Sequence, residues 1–243
     1  MNEPVHSLQA PPARTAAKPR PSRQAASPAL ATATTPPPRT NDPARTMAGI
    51  LEVATTEFAE KGLSGARIDE IADATRTSKR MIYYYFGSKE GLYLAVLEES
   101  YRRMRSIEAE LNLDDLPPED ALRRLVGFTF DHHFSNQGYI RLVMSENMER
   151  GSFLAQSKVI QEVNVPAIGA IEKLYARGVA QGLFRSGLDP IDIHASISAL
   201  TFFNVSNQHT FGLIFKADTH SAGALAARRC SIVEMIVRFV RAP

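Results

Sequence analysis

Apolar side chains from Asp42 onward recur every three or four positions, and no stretch alternates apolar with polar residues for long enough to make a strand. Met47, Ile50, Leu51, Ala54 and Phe58 share one face, which predicts a helix near 43–61. Asp42 and Pro43 suit its N-cap and first turn, and Gly62 suits its stop. Ile68, Ile71 and Ala72 mark a short amphipathic helix ending near Thr75. Ile82 and Phe86, four apart, mark another that Gly87 terminates, and Arg76-Thr77-Ser78 joins the two. Ser88 caps a fourth helix, whose stripe runs through Leu92, Ala95, Val96, Tyr101 and Met104.

Beyond Pro117-Pro118 the pattern stays helical, over roughly 118–134, 138–149, 153–182, 189–213 and 220–241. Pro166 falls inside the longest of these and is expected to kink or split it. The fold class is all-α. Residues 1–41 differ in kind: Pro, Ala, Thr, Ser and Arg dominate, and almost no large apolar side chain is present. Such a segment buries too little surface to offset its ordering entropy, so it is expected to be disordered. It carries Arg14, Lys18, Arg20, Arg23 and Arg39 against Glu3 alone. That composition is compatible with nonspecific phosphate contact, with an inert tail or misplaced start codon, and with an Arg-rich transit leader.

The net charge of +2 gives no global case for a polyanionic partner, so any such case is local. The one cysteine, Cys230, excludes an internal disulfide and is expected to fill space in the last helix. With no long apolar run and no apolar leader, the expectation is a soluble cytoplasmic protein with no membrane partner.

The local case lies in RTSKRMIYYYFGSKEGLY, residues 76–93. Two short helices joined by a tight turn after a longer helix make a helix-turn-helix, whose second helix lies in the major groove. Its N-terminal turn presents Thr77, Ser78, Lys79, Arg80 and Met81, and no acid stands between Arg76 and Lys89. With Ile82 and Phe86 pointing inward, Tyr83, Tyr84 and Tyr85 occupy the exposed and flanking faces, where phenol hydroxyls reach phosphate oxygens. Lys89 stands in the first turn of the next helix, where a bound phosphate would offset the unfavourable placement of a cation.

ILEVATTEFAEKG followed by RIDEIADATRTSKRMIYYYFGSKEGLYLAVL resembles the N-terminal DNA-binding domain of TetR-family transcriptional regulators, in register over about residues 43–97. The resemblance implies base-edge or groove contacts from Lys79, Arg80, Met81 and Tyr84, and phosphate contacts from Tyr83, Tyr85 and Lys89. Arg76 replaces a usual Gly in the turn and Arg67 a common capping Thr; each is either an added phosphate contact or a solvated surface residue. The implied domains are a tail over 1–41, a three-helix DNA-binding domain over 42–88, and a helical regulatory and dimerising domain over 89–243. The implied partners are double-stranded operator DNA, a second copy of the chain and a small-molecule effector.

For the C-terminal part, Met104, Phe128, His132, Met144, Met148 and Phe203 read either as a sensor cavity or as plain core. Asp131-His132-His133 does not converge on one ion, because adjacent helical side chains diverge by about 100°, and a metal would need His209 or Cys230 as well. No nucleophile elbow or glycine-rich motif is present, so no enzyme, cofactor or resident metal is expected. Ile191, Ala195, Ile197, Ser198, Ala199 and Phe202 form one small-residue apolar surface, and Ile232, Met235, Ile236, Phe239 and Val240 another. These predict a four-helix dimer interface; the alternative is that both stripes are consumed within one monomer. The combined reading is a homodimeric repressor released from its operator by an effector. The competing class is a helical small-molecule binding protein or enzyme that keeps the fold without binding DNA.

Overall fold

Asp42 opens the first described helix, its carboxylate accepting from the N–H groups of Ala44 at 3.0 Å and Arg45 at 3.3 Å. The structure, a computed structural model, describes residues 42–243; the tail expected over 1–41 lies outside them. Ten α-helices follow: α1 Pro43–Gly65, α2 Ile68–Thr75, α3 Lys79–Phe86, α4 Lys89–Ala109, α5 Pro118–Ser135, α6 Gln137–Met148, α7 Lys158–Ala180, α8 Pro190–Ser206, α9 Gln208–Phe215 and α10 Ala222–Val240. Among the described residues the chain is all-helical, apart from one isolated bridge between Phe184 and Arg241. No described helix is long and apolar enough to cross a membrane.

Regular α1 ends where expected, at Gly62, whose φ of 67° breaks the helix before a last turn reaches Gly65. Three boundaries differ from expectation. The segment expected as one helix over 153–182 begins only at Lys158, because Leu154–Gln156 winds as a 3₁₀ turn. The buried Glu146 carboxylate imposes that turn by accepting from the N–H groups of Phe153 at 3.2 Å and Leu154 at 3.1 Å. Pro166 neither splits nor ends α7. Pro166 and Glu162, whose carbonyl the missing N–H leaves free, both lie on the exposed side of the helix. The segment expected over 189–213 breaks at Asn207, whose N–H closes α8 on the Phe203 carbonyl at 3.0 Å before α9 begins.

Two apolar cores result. Under the N-terminal helices, Ile50, Ala54, Phe58, Ile71, Ile82, Leu92 and Val96 are almost fully buried, and Leu142 and Ile160 from α6 and α7 join them. Tyr93 stacks edge-on against Phe58 and Phe153, each at 5.1 Å. The second core joins α5, α7, α8 and α10 through Leu122, Val126, Ile171, Ile197, Ile232 and Ile236.

The second core corrects the pairing surfaces. Ile197, Ile232, Ile236 and Val240 are consumed inside the monomer, and Ser198, Phe202 and Phe239 are half-buried. Ile191, Ala195, Ala199 and Met235 remain exposed. Each stripe straddled two helix faces, because residues three and four apart span an arc wide enough to reach both core and surface. Cys230 is exposed and not an interior filler, since Ile232, Val233 and Ile236 occupy the inward face of α10.

Candidate nucleic-acid interface and interior cavity

The turn between α2 and α3 is closed by the backbone. Arg76 is left-handed at φ 52°, ψ 36°, its N–H donates to the Asp73 carbonyl at 3.1 Å, and the Thr77 N–H donates to the Ala72 carbonyl at 3.0 Å. Ser78 then caps α3, accepting from the Met81 N–H at 3.2 Å. Arg67 offers α2 no side-chain cap. A carboxylate from α1 compensates, Glu57 accepting from the Arg67 N–H at 3.1 Å. Lys61 bridges Glu57 and Glu70, and hydrogen bonds to Glu70 and then Glu57 hold its ammonium above the ordinary lysine range.

On α3, Ile82 is fully buried and Phe86 half-buried, so the helix presents its other side outward. Ser78, Lys79 and Arg80 are exposed, and Thr77 and Met81 half-exposed. The three tyrosines separate: Tyr84 is 77% exposed and Tyr83 43%, whereas Tyr85 is half-buried against Phe86 at 6.3 Å. The sequence shows no acid from Arg76 to Lys89, but α2 brings one in from outside that run, and Lys79 forms an ion pair with Asp69. Lys89 is tethered too, its ammonium donating to the Ser64 carbonyl at 3.3 Å. Gly87, at φ 76°, turns the chain out of α3. Gly91 allows α4 to start against it, since a Cβ there would sit 2.1 Å from the Phe86 carbonyl oxygen.

The six residues expected to line one sensor cavity do not come together. Met148 is 82% exposed near the end of α6, on the side away from the helices it packs on. Phe203 is 44% exposed and lines a 440 Å³ pocket with Phe211 between α8, α9 and the start of α10. His132 faces an open groove beside α1, Phe128 lies against its ring at 5.7 Å, and Met144 is half-buried. Only Met104 lines the interior cavity of about 220 Å³ between α4, α5, α6, α7 and α8. The other five, on α5, α6 and α8, do not line it, because helical spacing alone does not say which face of a helix turns towards a given space.

None of the cavity's polar groups was expected to line it, although Tyr101 was placed in the α4 stripe and His133 was weighed as a metal ligand. Arg105 donates through Nε to Asn164 at 2.8 Å and through Nη1 to Glu108. Tyr101 and Tyr139 meet edge-on at 5.5 Å, and Phe202 stands edge-on to His133 at 6.1 Å. His133 is buried with no partner for Nδ1; burial, then the neighbouring His132, Arg105 and His194, push its pKa down to about 4. Burial and Arg105 also lower His194. Burial raises Tyr139 and Tyr101. A signal was present, because Tyr101, Arg105 and Glu108 lie four and three apart on α4 beside Met104, but its partners come from four other helices. Among the described residues no three His, Cys, Asp or Glu side chains gather to hold a metal ion.

A capped, exposed, basic and aromatic helix after a tight turn defines a helix-turn-helix regulator of transcription. Residues 50–96 match the family described as bacterial regulatory proteins, tetR family, and residues 118–236 match the tetracyclin repressor-like C-terminal domain. The chain is 34% identical over 197 residues to the HTH-type transcriptional repressor NicS of Pseudomonas putida, covering 81% of this chain and 93% of that protein. It is 36% identical over 139 residues to the HTH-type transcriptional repressor SCO4008 of Streptomyces coelicolor, covering 57% of this chain and 69% of that one. Among solved structures, the transcriptional regulator SCO4942 of Streptomyces coelicolor superposes with a TM-score of 0.61 at 29% identity, covering 82% of this chain and 99% of that chain. A tetR-family protein from Rhodococcus RHA1 shares the fold at a TM-score of 0.65 and 20% identity, covering 82% of this chain and 98% of that one. The chain belongs to the TetR family of DNA-binding transcriptional regulators.

Proposed function

We propose that this regulator is a homodimeric repressor that grips operator DNA through α3 and lets go when a small molecule enters the C-terminal helices. The observation that carries the reading is the division of α3: Ile82 is wholly buried, while Lys79, Arg80, Tyr83 and Tyr84 stand in solvent on a capped helix. In this reading residues 42–88 form the reading head and 89–243 the regulatory part. Thr77, Ser78, Lys79, Arg80, Met81 and Tyr84 meet the groove, and Tyr83, Tyr85 and Lys89 meet phosphates. The names of the relatives support repression. The exposed apolar positions Ile191, Ala195, Ala199 and Met235 on α8 and α10 support pairing with a second copy.

Helix α4 links the two parts physically. It begins at the Ser88 cap beside α3 and carries Arg105 and Glu108 into the cavity, roughly 24 Å away at 1.5 Å per residue. The hydroxyl of Ser157, which caps α7, donates to Glu98 of α4 at 2.6 Å and ties the start of α7 to α4. A ligand that displaces α4 changes the separation of the two heads, and binding fails when that separation leaves about 34–36 Å, one turn of DNA.

The test is a gel shift on the DNA upstream of its own gene, across a range of salt. Tyr83→Ala and Lys89→Ala are expected to weaken binding on all sequences and each to lower the salt slope by about 1. Lys79→Ala and Arg80→Ala are expected to change which sequence is preferred, by about 1–3 kcal/mol per base contact. A folded dimer that fails to shift this DNA at low salt, or a Lys79→Ala/Arg80→Ala double variant that binds like the parent, overturns the reading.

A further inference from the structure

Among the described residues Arg105 is the one guanidinium lining the 220 Å³ cavity, and its hydrogen-bonding capacity is only partly used. Of its five N–H bonds, Nε serves Asn164 and one on Nη1 serves Glu108, which leaves Nη2 without an acceptor among the described residues. A planar fork with adjacent N–H groups matches the two oxygens of a carboxylate better than any single acceptor.

The surroundings restrict the charge and shape of an occupant. Facing the same space are Tyr101 from α4, His133 from α5, Tyr139 from α6, and His194 with Phe202 from α8. Both histidines are held neutral, so Arg105 and Glu108 are the charged side chains of the lining. Glu108 already pairs with Arg105, so the two charges largely offset each other, and an acidic ligand gains from the unshared N–H groups of the guanidinium and not from a surplus of positive charge. The walls are ring edges and faces that suit a flat apolar body. The cavity volume lies below the usual range of about 300–1,000 Å³ for drug-sized ligands, which limits the occupant to a single small ring. The Nδ1 of His133 has no partner among the described residues, but the atom is itself buried and meets an occupant only if the ring turns.

We infer that this cavity binds a small ring-bearing carboxylate, its carboxylate on the open side of the Arg105 fork and its ring between Tyr101, Tyr139 and Phe202. The inference rests on the reading of the chain as an effector-controlled regulator and names the chemical class of that effector.

Calorimetric titration of the full chain with benzoate, benzamide and acetate tests it. Benzamide keeps the ring without the charge, and acetate keeps the charge without the ring. Benzoate is expected to bind at least about tenfold more tightly than either. Arg105→Gln is expected to weaken benzoate by at least about tenfold. Arg105→Lys keeps a cation for Glu108 and so guards against a folding defect; it is expected to lose about tenfold as well, because an ammonium cannot present the fork. The inference is overturned if benzamide binds as well as benzoate, if both Arg105 variants bind benzoate like the parent, or if benzoate does not bind. Gel shift on the same preparation separates the two levels: a protein that shifts its upstream DNA but ignores benzoate has lost only the carboxylate assignment. A protein that binds benzoate but shifts no DNA has lost the regulator reading and keeps the cavity.

Discussion

The surface of α3 and the cavity behind α4 are built from the same materials, tyrosines and basic side chains, in opposite solvent settings. On α3 they come from one run of about ten residues, stand in water and rest on a single buried anchor, Ile82. In the cavity they come from four helices, are largely enclosed, and exist as one ion pair with neutral imidazoles. An exposed group is hydrated at no cost to folding and waits for a large polyanion. A buried one must be paired or neutralised first, so the cavity's chemistry is tied to stability in a way that of α3 is not.

The widest separation is expected between Phe58 and Tyr84. Phe58 is 1% exposed and holds Tyr93 edge-on, so Phe58→Ala should cost about 3–5 kcal/mol in urea unfolding. Tyr84→Ala, at 77% exposure, should change stability by less than about 0.5 kcal/mol while weakening operator binding. Similar losses of stability from the two would mean that α3 is core and not a reading surface.

Next in size is the response to acid. His133 titrates near 4 in the folded chain against 6.5 when free, so the unfolded state takes up the proton first. Above pH 6.5 this group contributes nothing to the pH dependence. As pH falls from 6.5 toward 4 stability is lost, by about 2 kcal/mol at pH 5 and about 3 kcal/mol in full. His132 and His194, also lowered, act in the same direction. Denaturant unfolding at pH 7.5 and 5 should show the loss, and His133→Phe should remove most of it; an unchanged slope in that variant would separate the cavity from the acid response.

A smaller effect concerns Lys79. Its pair with Asp69 is exposed on both sides, so it is worth under about 1 kcal/mol to the fold. Asp69→Asn should leave stability nearly unchanged and raise DNA affinity severalfold, about 1 kcal/mol or less, by freeing the cation and removing a like charge from the phosphates. The gain should shrink in a Lys79→Ala background, as a double-mutant cycle of the four proteins would reveal.

The same contrast decides what was legible in the sequence. The reading head is local: Asp42, Ser78 and Ser88 cap their helices, Gly87 stops α3, and Ile82 points inward, all within a few residues of what they control. The Lys79–Asp69 pair was missed because it joins two helices across the turn. The cavity is nonlocal, and helical spacing does not say which of Met104, Met144 and Met148 faces the same space as His133. Met148 faces solvent, and Glu146, two residues earlier, is buried as the cap of a turn eight residues on. Ser206-Asn207 stands at the break between α8 and α9, but Ser198 and Asn204 lie inside α8, so polar residues alone did not mark it.

The smallest effect falls on Arg76, the residue that departs from a usual glycine. Its left-handed backbone, φ 52° and ψ 36°, is uncomfortable for a side chain with a Cβ, while the residue is exposed in the turn before α3. Arg76→Gly relieves the first and removes the exposed side chain. The closing bonds from Arg76 and Thr77 to Asp73 and Ala72 use backbone atoms that glycine retains. The variant should therefore be more stable by about 0.5–1 kcal/mol, less whatever backbone freedom glycine adds to the unfolded chain. If Arg76 also touches a phosphate, the salt slope of DNA binding should fall by about 1 in the same variant. Stabilisation with an unchanged slope makes Arg76 a tolerated surface residue, whereas stabilisation with a lower slope means the strained turn is kept for the contact. A loss of stability beyond the roughly 1 kcal/mol that glycine's freedom in the unfolded chain can cost would show that the side chain, and not the backbone, holds the turn together.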